Sequence, residues 1–179
     1  IKILGFRDVV NATTNQILTD METGLDGAAA LTKMQAAGIA EADASLDVDG
    51  WDAAAKTAAL INVLMEGRTT PHAIDRIGIG AVSTDAIQRA KHQRRRIKLV
   101  ASAKRTTSDQ VIGRVAPDEL HFDDPLAQLH GMSNAVILTT DILGDIMIGE
   151  LTSGLTQTAY ALLSDLVTLR RRLTTTPET

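Results

Sequence analysis

Residues 38–56 combine the side chains that a proton-transfer site needs. This segment, GIAEADASLDVDGWDAAAK, holds five acidic residues followed by one lysine: Glu41, Asp43, Asp47, Asp49, Asp52 and Lys56. Residues four apart on a helix share a face, so a helix that begins near Asp52 would point its carboxylate and the Lys56 ammonium in the same direction. Such a pair could present an acid to a small molecule, while the other carboxylates bind cationic or hydroxyl groups.

One simpler interpretation fits the same charges, whereas a calcium-binding loop does not. The segment could be a solvated acidic connector in which Asp52 and Lys56 form a surface ion pair worth about 0.3 kcal/mol. Charge pattern alone favours this interpretation, because most such pairs are ordinary. A calcium loop would need D-x-[DN]-x-[DN]-G with glutamate six residues after the glycine. Residues 47–50 supply only part of that pattern and position 56 is lysine, so we reject a calcium site.

Two helices must hold this segment from either side. The first begins at Asp26, whose side chain can cap it, and is closed by Gly38; the second runs from Asp52 to about Gly67. A last helix covers about residues 156–173. The basic run KHQRRRIK, residues 91–98, predicts a solvated turn between a further helix and the strand that follows.

Alternating apolar residues predict five strands, near 75–82, 97–105, 110–116, 134–140 and 145–150. Residues 1–10 could form another. Strands and helices in this arrangement predict an α+β fold, with a mixed or antiparallel sheet of about four to five strands and helices mainly on one face.

Composition excludes several classes of protein. The 179 residues are enough for one domain, and a net charge of −4 gives no reason to expect nucleic acid. The absence of cysteine excludes disulfides and thiolate metal sites and fits a reducing compartment such as the cytoplasm. No histidine has a second one at metal-ligand spacing, and no apolar run approaches the roughly 20 residues that cross a bilayer.

The acidic segment resembles the substrate loop of homoserine dehydrogenases, whose pattern is G-Y-x-E-x-D-P, a short acidic loop, and D-x-x-G-x-D-x-x-x-K. Seven residues match at family spacing: Gly38, Glu41, Asp43, Asp47, Gly50, Asp52 and Lys56. FRDVVNATTNQILTDM, residues 6–21, is similar to the family's F-x-G-V-L-N-G-T-T-N-Y-I-L-T-x-M. DDPLAQLHGMSNAV (123–136) and GLTQTAYALLSDLV (154–167) resemble two later motifs, so the resemblance covers nearly the whole chain in order.

The resemblance implies a function for each acidic position. In the family the reaction is reversible NAD(P)-linked reduction of aspartate semialdehyde to homoserine, a step toward threonine and methionine. By this resemblance Lys56 gives a proton to the carbonyl oxygen and Asp52 orients Lys56, while Glu41, Asp47 and Asp43 bind substrate. Two such domains pair in the family, so a homodimer is expected, with no nucleic-acid or membrane partner.

The chain departs from the family at the parts that would bind NAD or NADP. The nucleotide-binding Rossmann half that precedes this region in the family is absent, and no G-x-G-x-x-G follows an N-terminal strand. Residues 1–179 are therefore interpreted as a single substrate and dimerisation domain, from which the 151–173 helix would return to the nucleotide-binding domain. The family's turn G-x-G-A-G-G is GELTSG here, which leaves Gly154 as the expected cofactor contact and puts bulky side chains beside it.

Two alternatives remain beside the enzyme. One is a catalytically silent paralogue that keeps the pocket as a dimerising or small-ligand-binding module, which the altered GELTSG turn favours. The other is a general interaction domain without a pocket, which would leave the family spacing of the acidic residues unexplained.

Overall fold

A six-stranded sheet forms the frame of the described chain, which in this computed structural model comprises residues 1–152 and 155–174. The strands lie in the order β2–β4–β3–β1–β5–β6, all neighbours being antiparallel except the parallel pair β2 and β4. Their bounds are Ile3–Val9 (β1), Asp75–Arg76 (β2), Arg95–Arg105 (β3), Val111–His121 (β4), Asn134–Thr140 (β5) and Asp145–Glu150 (β6).

Six α-helices accompany the sheet in the described chain. Their bounds are Ala12–Glu22 (α1), Gly27–Ala36 (α2), Ser45–Val48 (α3), Trp51–Leu64 (α4), Thr84–His92 (α5) and Leu155–Thr174 (α6). Short 3-10 turns cover Pro71–Ala73 and Pro125–Gln128. The α+β class is confirmed, with one or two strands more than expected. No helix in the described ranges is long and apolar enough to cross a membrane.

The helices bury one face of the sheet. Side chains from alternate positions of β1 and β3 pack with α1, α2, α4 and α5 into the main core, which includes Phe6, Ile17, Leu18, Ile61 and Leu99. A smaller cluster, containing Val9, Val100 and Leu126, covers one end of the opposite face. The rest of that face is open, and it exposes Leu4 and Ile112.

The prediction of a strand at residues 75–82 is wrong beyond the first two residues. Only Asp75 and Arg76 pair with β4. The backbone then turns toward α3, where the Ile79 amide donates to the Val48 carbonyl at 2.8 Å. A Cβ at Gly78 would collide with that same carbonyl oxygen, so glycine permits the close approach.

The prediction of a solvated turn at residues 91–98 is also wrong for its last residues. Arg95 already begins β3, and Lys98 is fully buried. Its Nζ donates to the Asn15 Oδ1 at 2.8 Å and to the Leu129 carbonyl at 2.6 Å, which satisfies the amine inside the protein. Burial lowers the pKa of Lys98 to about 8; the Glu22 carboxylate opposes this shift and the Arg96 guanidinium adds to it.

Candidate active site

Asn11 joins three elements at the end of the central strand. It caps α1, because its Oδ1 accepts from the Thr14 amide at 2.8 Å. Its Nδ2 donates to the Asp47 Oδ1 at 2.6 Å and to the Asp52 Oδ2 at 2.8 Å. One buried amide therefore holds together two carboxylates that would otherwise repel each other.

Lys56 lies on the same cluster, one helical turn after Asp52. Its Nζ is 2.7 Å from the Asp52 Oδ2 and donates to the Val10 carbonyl at 3.0 Å. An ammonium has three N–H donors, so these two contacts leave one for a ligand. The side chain is 47% exposed, so a small molecule can reach the ammonium from outside.

The turn between α3 and α4 aims Asp52 at this cluster. Gly50 takes φ +79°, a left-handed conformation that glycine adopts without strain, and α4 begins at the next residue. Arg76 fastens the turn by donating to the Asp49 carbonyl and by stacking its guanidinium 3.8 Å from the centre of the Trp51 ring. His72 meets the same ring edge-on at 5.0 Å. Trp51 therefore acts as a packing anchor for the start of α4.

Asp8 lies in the strand that leads to this cluster. It is 0% exposed, and neither carboxylate oxygen has a hydrogen-bond partner among the described residues. Burial raises the pKa of Asp8 to about 8, although the nearby positive charge of Lys56 acts in the opposite direction. Asp8 is not among the expected site residues, although alternation along β1 puts it on the same face as the core residue Phe6.

The structure brings some of the expected site residues together and leaves others apart. Asp47, Asp52 and Lys56 share the cluster around Asn11. Glu41 is exposed, and within the described ranges its carboxylate makes no hydrogen bond or ion pair. Asp43 is also exposed, and hydrogen bonds from Ser45 lower its pKa. Gly154 lies outside the described residues.

An apolar depression of about 360 Å³ adjoins Lys56. Its other walls are aliphatic: Val10, Ala59, Leu60 and Val63. A larger concavity of about 580 Å³ lies on the open face of the sheet, between β1, β3, β4 and β5. That concavity contains none of the expected site residues. Of these two concavities, the depression is the one that includes an expected site residue, Lys56.

The Asn11 amide should contribute both to stability and to the geometry of this site. We expect Asn11→Ala to lower the free energy of unfolding by about 1–3 kcal/mol, because the α1 cap is lost and two carboxylates lose a shared donor. Asn11→Ser keeps a capping oxygen but is too short to bridge Asp47 and Asp52, so it should recover only part of this loss. Urea denaturation of the full-length protein would measure both variants, and full recovery by serine would show that the bridge contributes nothing.

The fold and the cluster together define a class of protein: an α+β domain that presents a lysine, paired with an aspartate, beside an apolar depression. Comparison with known proteins identifies the family. The family model for homoserine dehydrogenase matches residues 1–167, and the chain belongs to the homoserine dehydrogenase family.

Individual relatives agree with this assignment. The chain is 38% identical over 172 residues to the NAD(+)-dependent homoserine dehydrogenase of Pseudomonas canavaninivorans, which covers 96% of this chain and 49% of that protein. It is similar to the S. aureus homoserine dehydrogenase crystal structure, with a TM-score of 0.87 and 28% identity over 99% of this chain and 45% of that one. A hyperthermophilic archaeal homoserine dehydrogenase in complex with NADPH superimposes with a TM-score of 0.75 and 30% identity, over 94% of this chain and 48% of that one. The chain thus spans about half the length of these relatives.

Proposed function

We propose that this chain is the substrate-binding catalytic domain of an NAD(P)-dependent oxidoreductase that interconverts homoserine and aspartate semialdehyde. One observation carries the proposal: Lys56 is held by Asp52 and by the Val10 carbonyl, and one N–H remains for a ligand at the edge of an apolar depression. Family membership supports the same reaction.

Lys56 acts as the acid in the reductive direction. Its ammonium donates a proton to the aldehyde oxygen, where negative charge develops, and the resulting neutral amine takes a proton from the hydroxyl in the reverse direction. Asp52 holds the Nζ in place from the same helix face. In this proposal Asp47, which accepts from Asn11, binds the substrate ammonium, and Glu41 and Asp43 contribute further negative charge from the exposed loop.

The residues around Lys56 fit a nicotinamide cofactor. Val10, Ala59, Leu60 and Val63 make an aliphatic wall beside the acid, which suits a flat ring and limits the access of water. Reduced nicotinamide, when bound there, would be the source of the hydride that the carbonyl carbon needs. We propose that the rest of the nucleotide binds to a domain outside this chain, toward which α6 would lead, and NAD and NADP are both candidates because relatives with each are known.

A second copy of the chain is the proposed partner. The open face of the sheet exposes the apolar side chains Leu4, Ile112 and Met147, and it carries the concavity of about 580 Å³. Pairing two such faces would bury them. Sedimentation of Ile112→Lys should then show weaker association than the unaltered protein, and an unchanged sedimentation coefficient would exclude this face.

Isothermal titration of the full-length protein with homoserine tests substrate binding. Asp47→Asn should weaken homoserine binding by at least about tenfold, because a charged contact to the ammonium is lost. The matched control is Asp49→Asn, an exposed carboxylate two residues away, which should change the Kd by less than about twofold. Equal homoserine affinities for Asp47→Asn and Asp49→Asn would show that Asp47 does not bind the substrate.

Experiments on the same full-length protein distinguish the oxidoreductase from the silent paralogue. A silent ligand-binding paralogue is favoured by the GELTSG sequence at 149–154, where bulky residues replace the family's inner glycines. Titration with NADP and with NAD, followed by a turnover assay, decides between them. Homoserine binding without nicotinamide binding or turnover would establish the silent module, and turnover would establish the oxidoreductase.

A further inference from the structure

Residues 129–133, the loop between the second 3-10 turn and β5, are held by buried side chains from two other elements. Asn15 of α1 is buried, and its Nδ2 donates to the Ser133 carbonyl at 3.1 Å. The Asn15 Oδ1 and the Leu129 carbonyl both accept from the buried Lys98 Nζ of β3, at 2.8 Å and 2.6 Å. Both ends of the loop are therefore hydrogen-bonded to the interior of the domain.

The helix α1 connects this loop with the active-site cluster. Asn11, Asn15 and Thr19 are spaced four residues apart, so they lie on one face of α1. Asn11 binds the two carboxylates of the cluster, and Asn15 binds the loop. Thr19 holds the middle of the loop, because its hydroxyl accepts from the Gly131 amide at 3.1 Å. One helix face therefore fixes the loop relative to the cluster.

The loop also contacts the point where the chain leaves the sheet for α6. The pairing of β5 with β6 extends as far as Asn134, which is opposite Glu150. Immediately beyond this pair, the Ser133 Oγ donates to the Leu151 carbonyl at 3.1 Å. The Leu151 side chain is exposed and belongs to neither core cluster. The hydrogen bond from Ser133 therefore extends the attachment of this backbone by one residue past the end of β6.

The buried ammonium of Lys98 gives the loop a specific anchor. A charged amine is costly to bury, and a methionine would fill a similar volume without that cost. The two oxygens that Lys98 binds are neutral, and both determine how the loop is held. With its Oδ1 held by the ammonium, the Asn15 amide is oriented with its N–H groups toward the Ser133 carbonyl. Lys98 thus orients the side chain that binds the loop.

We propose that Lys98, Asn15 and Ser133 are positioning residues for the nicotinamide cofactor, because they fix the backbone at Leu151 relative to the active-site cluster. The proposal deepens the proposed function and rests on it. That function puts the nicotinamide beside Lys56 and the rest of the nucleotide on a domain toward which α6 would lead. A cofactor that spans both parts binds more tightly when the connection between them is already ordered, since less order must be gained on binding.

Two substitutions of nearly equal shape at Ser133 test the hydrogen bond to Leu151. The full-length protein is titrated with NAD, with NADP and, separately, with homoserine. Ser133→Val has no hydroxyl and should raise the Kd of the nicotinamide nucleotide about three- to tenfold, while the Kd of homoserine changes by less than about twofold. Ser133→Thr keeps the hydroxyl and should stay within about twofold of the unaltered protein for both ligands.

Two results of these titrations would overturn the proposal. Equal nucleotide affinities for the valine and threonine variants would show that the hydroxyl has no part in cofactor binding. A parallel loss of homoserine affinity in Ser133→Val would show that the whole domain is weakened, as expected of a purely structural contact.

Asn15→Asp tests the inner part of the network. Aspartate still accepts from Lys98 but has no N–H for the Ser133 carbonyl, so nucleotide binding should weaken about three- to tenfold. The matched control is Asn62→Asp, because the Asn62 Nδ2 likewise donates to a backbone carbonyl, that of Thr69, at 3.0 Å. The control should change the nucleotide Kd by less than about twofold. Equal effects of the two substitutions would refute the role of Asn15.

A further readout needs no cofactor. Hydrogen–deuterium exchange of the peptide 145–152 should be faster in Ser133→Val and Asn15→Asp than in Ser133→Thr and the unaltered protein, because the end of β6 opens more often. Equal exchange in all four proteins would overturn the positioning of Leu151. Faster exchange in a protein whose unaltered form binds neither NAD nor NADP would instead refute the proposed function and keep the attachment of Leu151 to the loop.

Discussion

Lys56→Met is expected to lower kcat for aspartate semialdehyde reduction by about 10²–10⁴-fold, the contribution typical of a positioned general acid. Methionine has a similar length and can still pack along Val10, Leu60 and Val63, but it has no proton to give. The variant should remain folded, because the ion pair that it removes is partly exposed and stabilises the protein by about 1 kcal/mol at most. Steady-state kinetics of the full-length protein with saturating nicotinamide cofactor would measure the loss.

Lys33→Met is the matched control for this result. Lys33 also forms an ion pair with an aspartate, its Nζ being 2.9 Å from the Asp20 Oδ1, and its side chain is 60% exposed. It lies on α2, outside the Asn11 cluster, so kcat should stay within about twofold of the unaltered value. Near-normal turnover in Lys56→Met would refute its role as the acid, and an equal loss in Lys33→Met would attribute the effect to folding.

Local sequence rules predicted the parts of the site that are close together in the chain. The i,i+4 spacing placed Asp52 and Lys56 on one helix face, and the two side chains are in contact. A capping residue located one helix start correctly, because Asp26 accepts from the Ala29 amide at the start of α2. The strands expected at 134–140 and 145–150 are confirmed at those bounds.

Contacts between distant parts of the chain could not be read in the same way. Asn11 reaches Asp47 and Asp52 across 36 and 41 residues, and its amide could equally have served only as a helix cap. β2 ends at Arg76, and Gly78 lies against the backbone of α3, a neighbour far away in sequence.

Buried charge is the second kind of feature that local rules misplace. Asp8 and Lys98 both lie in strands where charged side chains normally face water, yet both are fully buried. Lys98 obtains two acceptors there, Asn15 and Leu129, whereas Asp8 obtains no donor among the described residues. Burial of Asp8 without a partner therefore lowers the stability of the folded protein. The size of this loss depends on pH and can be measured.

Asp8→Asn is expected to stabilise this domain, and the gain should grow with pH. The folded-state pKa of Asp8 is raised from 3.8 to about 8, so between these values the folded protein keeps a proton that the unfolded chain releases. Stability of the unaltered protein therefore falls as pH rises through that window, by at most about 1.4 kcal/mol per pH unit. Asparagine is close in shape to the neutral acid and does not ionise, so the difference in unfolding free energy should reach a few kcal/mol by pH 7 and level off above pH 8.

The stability of this domain within the full-length protein can be measured by urea denaturation at a series of pH values. Hydrogen–deuterium pulse labelling of peptides from β1 and β3 would make the measurement specific to this domain. Asp85→Asn, the same substitution at an exposed position in the first turn of α5, is the matched control, and its stability difference should not grow with pH. A difference for Asp8→Asn that is constant from pH 5 to 8 would mean that Asp8 is ionised throughout.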